Sequence, residues 1–243
     1  MWQNKFKKRG VVLPVLLFFL SFLAFFSAQA QTPVKKINLP DLTELAAALK
    51  QSVAKVEVTP REERLPEDHP PVPQDKLKAV GSAFVVDADG YLVTNNHVVK
   101  EAKKITVILS RQKYPAKVVG QDDKVDVAVI KIEPHKKLTP LTLGNSDKLK
   151  TGSWVVAMGN PFGLENNLTL GIISGKGRQV PEAPFIDFLQ TDAEIYPGNS
   201  GGPLVNLQGE AVGVNTAIDE SADLSLAIPI NKVKEVLPRL KGK

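Results

Sequence analysis

Between residues 83 and 228 the chain is a succession of short β-branched runs, each of four to eight residues, with turn signals between them. Nine such runs stand out, at 83–86, 91–94, 105–109, 116–119, 125–132, 154–158, 168–173, 211–216 and 224–228. The breaks hold residue pairs that favour turns, among them Asp89-Gly90, Gly144-Asn145 and Asn160-Pro161, and the lone Gly209. Many short strands without long helical segments predict an all-β sandwich or barrel. Short helices flank the strands. Asp41 and Glu44 form a capping pair ahead of Leu42, Leu45 and Leu49 at helical spacing, which predicts a helix over 41–51 that docks the N-terminus on the core. A second is expected near 231–237. The stretch 61–78, with Pro66, Pro70, Pro71 and Pro73, reads as an exposed loop.

No cysteine occurs in the 243 residues, so a disulfide scaffold, a thiol nucleophile and a thiolate metal site are all excluded. The net charge of +5 invites a nucleic-acid reading until it is located. Lys5, Lys7, Lys8 and Arg9 lie in the first thirty residues with no acid, which leaves 27 basic against 26 acidic side chains and a net +1 for the rest. No nucleic-acid partner is therefore expected. The basic start, the mostly apolar run 11–26 and the small-x-small triplet Ala28-Gln29-Ala30 read as an export signal cleaved before Gln31. The alternative is an uncleaved anchor in the inner membrane. Lys8-Arg9 is not a twin-arginine pair, so a Sec-type route to the periplasm or outside is expected. The organisation is then a signal peptide at 1–30, a flexible lead-in at 31–40 and one domain at 41–238.

Three elements carry chemistry. His97 closes the strand-like run Thr94-Asn95-Asn96-His97, whereas His69 and His135 fall in a proline-rich loop and a turn and read as surface residues. Ser200 lies in Gly198-Asn199-Ser200-Gly201-Gly202-Pro203, a setting that can expose a hydroxyl on a tight turn and aim backbone N–H groups at one point. Asp126 is a carboxylate in the apolar run 125–132, where pairing with an imidazole N–H would satisfy it. Asp122 and Asp123 read as residues of a polar turn. Each element alone has a bland reading: a satisfied strand-end histidine, a glycine-rich bend, a paired acid. Their order His97, Asp126, Ser200 is that of the chymotrypsin-like triad and differs from subtilisin and the α/β-hydrolases.

With these residues in hand, the chain resembles the trypsin-like domain of the HtrA/Deg (high-temperature-requirement) serine proteases over about 45–235. The likeness rests on GSAFVVDADGYLVTNNHVV at 81–99, Asp126 with its apolar run to Ile130, AMGNPFGLENNLTLGIISGKG at 157–177 and LQTDAEIYPGNSGGPLVNLQGEAVGVNTAI at 189–218. It implies a chymotrypsin-like double six-stranded β-barrel with short N- and C-terminal helices. It further implies Ser200 as nucleophile, His97 as base, Asp126 as the group orienting the imidazole, and an oxyanion hole from the Gly198 and Ser200 N–H groups shaped by Asn199. By the same resemblance Asn215, Thr216 and Ala217 offer an edge to an extended peptide, and Ile195 and Ile218 border a small apolar pocket. Glu194 stands where the family carries a small or apolar residue, and is expected to point away. Arg178 belongs to the segment that contacts the active-site loops in that family, or is a plain surface charge.

The resemblance implies unfolded or misfolded polypeptides as substrates, and neither metal nor cofactor. It also suggests a homotrimer built on aromatic residues near the mature N-terminus, but no Phe, Trp or Tyr lies between Gln31 and Ala83, which speaks against one. The domain is expected without a PDZ domain and without PDZ-mediated partners. A second class stays open, a protease-fold chaperone or binding module with weak or conditional proteolysis.

Overall fold

The computed structural model describes residues 41–60, 79–160, 167–181, 183–216 and 225–242. The expected export segment and lead-in, the loop 61–78 with His69, and the pocket residues Ala217 and Ile218 lie outside them. Six strands, β1 (Val53–Pro60), β2 (Ala79–Asp87), β3 (Tyr91–Asn95), β4 (Ala102–Leu109), β5 (Gln112–Asp122) and β6 (Val127–Lys131), close into a barrel in the order β1-β2-β3-β6-β5-β4. Six more, β7 (Trp154–Gly159), β8 (Asn167–Arg178), β9 (Phe188–Thr191), β10 (Pro203–Asn206), β11 (Ala211–Thr216) and β12 (Ser225–Pro229), close a second in the order β10-β11-β12-β9-β8-β7. Closure removes the sheet edges that an open sheet would leave for aggregation. The expected double six-stranded barrel is the fold observed.

Each expected run overlaps a strand, the run 125–132 only from Val127 to Lys131, and three strands appear beyond them: β1, β9 and β10. β1 alternates, with Ala54, Val56 and Val58 buried and Lys55 and Glu57 paired on the outer face at 2.9 Å. β10 starts at Pro203, the one strand position where a missing N–H costs no ladder bond. Among the described residues there are also three short α-helices, α1 (Thr43–Leu49), α2 (Asn96–Val99) and α3 (Ile230–Leu240), and a 3-10 turn at Ser146–Lys148. The Asp41–Glu44 capping pair does not form. Asp41 Oδ1 instead accepts from the Thr43 N–H at 2.9 Å, and that bond holds its carboxyl below the usual range. α3 runs past Pro238 because Leu240 is buried against the first barrel. Gly120 of β5 makes room for it, since a Cβ there would lie 2.3 Å from the Leu240 carbonyl oxygen.

The cores explain why β6 reads as an unbroken apolar run. Ala128 and Ile130 fill the first barrel with Val56, Val85, Leu92 and Val107. Val127 and Val129 point the other way, into a cluster shared with Phe84, Met158, Phe188, Val214 and Ile228. A strand buried on both faces needs apolar residues at every position. Leu204, Val155, Val212 and Ala227 fill the second barrel. The shared cluster thus binds the two barrels together. Phe84 is fully buried at its centre, so Phe84→Ala is expected to lower the unfolding free energy by about 3–5 kcal/mol in chemical denaturation. A loss below about 1 kcal/mol would show that the barrels do not depend on a common core.

Candidate active site

β3 breaks directly into the single turn of α2. Val99 and Asn96 are buried under that turn, which leaves His97 on its open side with the side chain exposed. The His97 Nδ1 lies 2.7 Å from Asp126 Oδ2, and the His97 main-chain N–H donates to Asp126 Oδ1 at 2.9 Å. One carboxylate therefore grips both ring and backbone of the same residue. A carboxylate only accepts, so Nδ1 is the donor, and in a neutral ring this leaves the lone pair on Nε2.

Asp126 is not within the strand, as its apolar neighbours suggested. It occupies the turn before β6 with φ of 53°, a left-handed conformation that aspartate tolerates better than most residues. The turn is held because the Asp126 carbonyl accepts from the Asn95 side-chain amide and from the Asn96 N–H, both at 3.1 Å. Asp123 braces the same corner: it accepts from Asn96 Nδ2 at 2.7 Å and from Lys100 Nζ at 2.6 Å. The bond from the Lys100 ammonium holds the Asp123 carboxyl below its usual range, and the carboxylate in turn raises Lys100. Composition had marked Asp123 only as part of a polar turn.

Ser200 follows a tight turn of Tyr196-Pro197-Gly198-Asn199, closed by Asn199 N–H to the Tyr196 carbonyl at 2.9 Å. Proline second and glycine third, with φ of 97° at Gly198, are the chemistry of a type II turn. Among the described residues no acceptor meets the Gly198 N–H. Ser200 is 6% exposed, in the seam between the barrels. The Ser200 carbonyl accepts from the Ser82 N–H of the first barrel at 2.8 Å. Gly201, at φ of 87°, permits this approach, since a Cβ there would lie 2.2 Å from the Ser82 carbonyl oxygen. Gly81 joins the two halves of the site: a Cβ on it would meet Val98 Cγ1 of α2 at 2.6 Å and the Ser200 carbonyl at 3.3 Å.

The remaining expected residues divide. Asn199 is buried in the turn, with its side-chain amide lacking a partner. Ile195 packs partly on the second core and donates its N–H to Ser225 Oγ at 3.2 Å. Glu194 is exposed, and its carboxylate accepts from the Tyr196 hydroxyl, which raises the phenol above its usual range. Asn215 is not a free edge: its N–H donates to Gly202 and its carbonyl accepts from Gly201, at 2.8 and 2.9 Å. Thr216 is buried and pairs with Leu226 of β12. Arg178 is exposed and hydrogen-bonds Gln190 of β9 at 2.9 Å rather than the Gly198–Ser200 turn. Beyond Asp126 an open groove of about 490 Å³ is walled by His97, Lys124, Pro184 and Phe185. Among the described residues no group of three or more His, Asp or Glu could hold a metal ion.

Side-chain polar atoms buried without a partner, among the described residues, all belong to this neighbourhood: Asn95, Asn96, Asn199, Asn215 and Thr216. Such atoms are rare in folded proteins and concentrate where function opposes stability.

Residues 81–214 match the family model of the trypsin-like peptidase domain. A DegP-like protein of Chlamydia trachomatis, named as a probable periplasmic serine endoprotease, is 52% identical over 174 residues, 69% of this chain and 35% of that protein. One of the same description from Pseudomonas fulva is 47% identical over 174 residues, 70% of this chain and 36% of the relative. The chain thus spans roughly a third of the length of the curated relatives it matches. Among solved structures the HtrA-type protease AlgW with tripeptide superposes with a TM-score of 0.72 at 38% identity, covering 83% of this chain and 64% of that one. Shared barrels, matched residues and solved neighbours agree: the chain belongs to the trypsin-like peptidase domain family, in its HtrA/Deg branch.

Proposed function

We propose that this protein is an exported serine endopeptidase that hydrolyses peptide bonds of unfolded or damaged proteins. The observation that carries the reading is the double grip of Asp126 on His97, which leaves Nε2 as the basic nitrogen. His97 Nε2 takes the proton of Ser200 Oγ as the oxygen attacks the substrate carbonyl carbon. The oxyanion that forms is met by the N–H groups of Gly198 and Ser200, in a turn shaped by Asn199. The imidazolium then gives its proton to the leaving amine, the carbon–nitrogen bond breaks, and an acyl-enzyme on Ser200 remains. Water, deprotonated by His97, hydrolyses that ester and restores the serine. Asp126 stays ionised throughout and stabilises the imidazolium.

The substrate chain extends along Thr216 as an added strand. A small aliphatic side chain sits beside Ile195, with Ala217 and Ile218 completing the edge and pocket. Glu194, engaged with Tyr196, takes no part in selecting a basic residue. Relatives named as periplasmic support export through the first thirty residues. Among the described residues no helix is long and apolar enough to cross a membrane.

Three outcomes test this. A fluorophosphonate probe should label the wild type, and Ser200→Ala should abolish both labelling and casein digestion, a loss of roughly 10⁴ or more in rate. An unlabelled but folded wild type would refute a competent site. Suppression of aggregation that survives Ser200→Ala, with negligible wild-type turnover, would instead mark a binding module. Asp126→Asn should leave the fold intact and cut kcat by on the order of 10⁴, because an amide no longer fixes the Nδ1–H tautomer. Intact mass of the exported protein should begin at Gln31, whereas a retained Met1 in the membrane fraction would favour the anchor.

A further inference from the structure

Ser82 stands on β2 of the first barrel and is fully buried. Its hydroxyl donates to the Gly198 carbonyl at 2.7 Å, across 116 positions of sequence. The same oxygen accepts from the Asn160 N–H at 2.9 Å and from the Asn160 side-chain amide at 3.3 Å. A hydroxyl has one proton and two lone pairs, so its capacity is filled. The Ser82 main chain is engaged as well. Its N–H donates to the Ser200 carbonyl at 2.8 Å, and its carbonyl accepts from the Thr94 hydroxyl at 2.7 Å.

The choice of acceptors carries the argument. A buried serine that only needed satisfaction could bond within its own sheet. Ser82 instead holds the carbonyls of Gly198 and Ser200, the two residues whose N–H groups would meet the oxyanion. Each donor is a single Cα away from a carbonyl that Ser82 fixes. Gly198 has no Cβ to limit its rotation, and a turn with proline second can be type I or type II, which differ by a flip of the peptide bearing the Gly198 N–H. An anchor outside the turn is therefore needed to keep that donor aimed. We propose that Ser82 is a positioning residue that holds the oxyanion turn of the second barrel from the first, a role that rests on the serine-peptidase reading above.

The test compares wild type, Ser82→Ala and Ser82→Thr on a peptide substrate, with rates normalised to folded protein. Ser82→Ala should lower kcat by roughly 10–100-fold, less than outright removal of an oxyanion donor, while KM changes by less than about threefold. Affinity for a peptide aldehyde, which forms a tetrahedral oxyanion on the serine, should fall by the same factor. Affinity for the product peptide should not, and the pH–rate profile should keep its shape because the His97–Asp126 pair is untouched. Ser82→Thr keeps the donor and should restore kcat to within about threefold. A Ser82→Ala enzyme with lowered Tm but wild-type kcat and aldehyde affinity would overturn the proposal, as would a folded Ser82→Thr as impaired as Ser82→Ala. A wild type with no turnover would defeat the serine-peptidase reading itself, a result separable from either.

Discussion

Two closed barrels must approach so closely that a main-chain N–H of one bonds a main-chain carbonyl of the other, and the geometry of the site depends on that contact. The bond from Ser82 to Ser200 spans 2.8 Å. Beside it, a Cβ on Gly201 would lie 2.2 Å from the Ser82 carbonyl and 2.3 Å from the Thr94 hydroxyl, and one on Gly202 would lie 3.2 Å from Ser82 Cβ. The glycine-rich run is thus needed twice. It lets the turn adopt left-handed backbone at Gly198 and Gly201, and it lets the barrels meet. The shared apolar cluster around Phe84 and Val129 supplies the attraction that holds this approach.

That attraction offsets local costs gathered at one place. Asp126 sits in a left-handed conformation, and five nearby residues bury polar atoms that have no partner among the described residues. Each such feature costs of the order of 1–3 kcal/mol. They surround His97 and Ser200 rather than scattering through the barrels, whose interiors are apolar. A folded chain keeps such features where groups must be held ready for a partner that is not yet there. Asn199 fits this account best, since it underlies the turn.

The sequence singles out His97, Asp126 and Ser200 as candidates because each has a marked context: a polar strand end, a charge in an apolar run, a serine among glycines. The conformation of Asp126 was not legible there. A carboxylate followed by Val127-Ala128-Val129-Ile130 reads as part of the strand, and its left-handed turn is set by Asn95 and Asn96, thirty residues earlier. β10 was hidden by Pro203, and β9 by its polar half, Gln190-Thr191. Ser82 carried no local signal, since a serine before Ala83 and Phe84 looks like any small residue in a buried strand. Asp123 was equally mute, because its bonds to Asn96 and Lys100 exist only once β3 and β6 pair. Sequence exposes residues whose chemistry conflicts with their neighbours. It conceals those whose importance lies in a distant contact.

The division of chemistry between the barrels follows from the same logic. The first barrel holds His97 and Asp126 through bonds that close within itself, between α2 and the turn before β6. The second holds the Gly198–Ser200 turn through Asn215 and its own strands. The first half closes its local geometry within itself, whereas the Gly198–Ser200 turn of the second is also bonded from β2 by Ser82. Their alignment therefore rests on the seam, where Gly81 lies against both Val98 and Ser200 and where Ser82 bonds across. A perturbation there can separate two intact halves by a fraction of an ångström, which is enough to misalign a proton transfer whose donor and acceptor must meet near 3 Å. On the proposed function, catalytic competence therefore depends on the seam more sharply than stability does. The fold is held by many apolar contacts on both sides, and the reaction by a few polar ones between them.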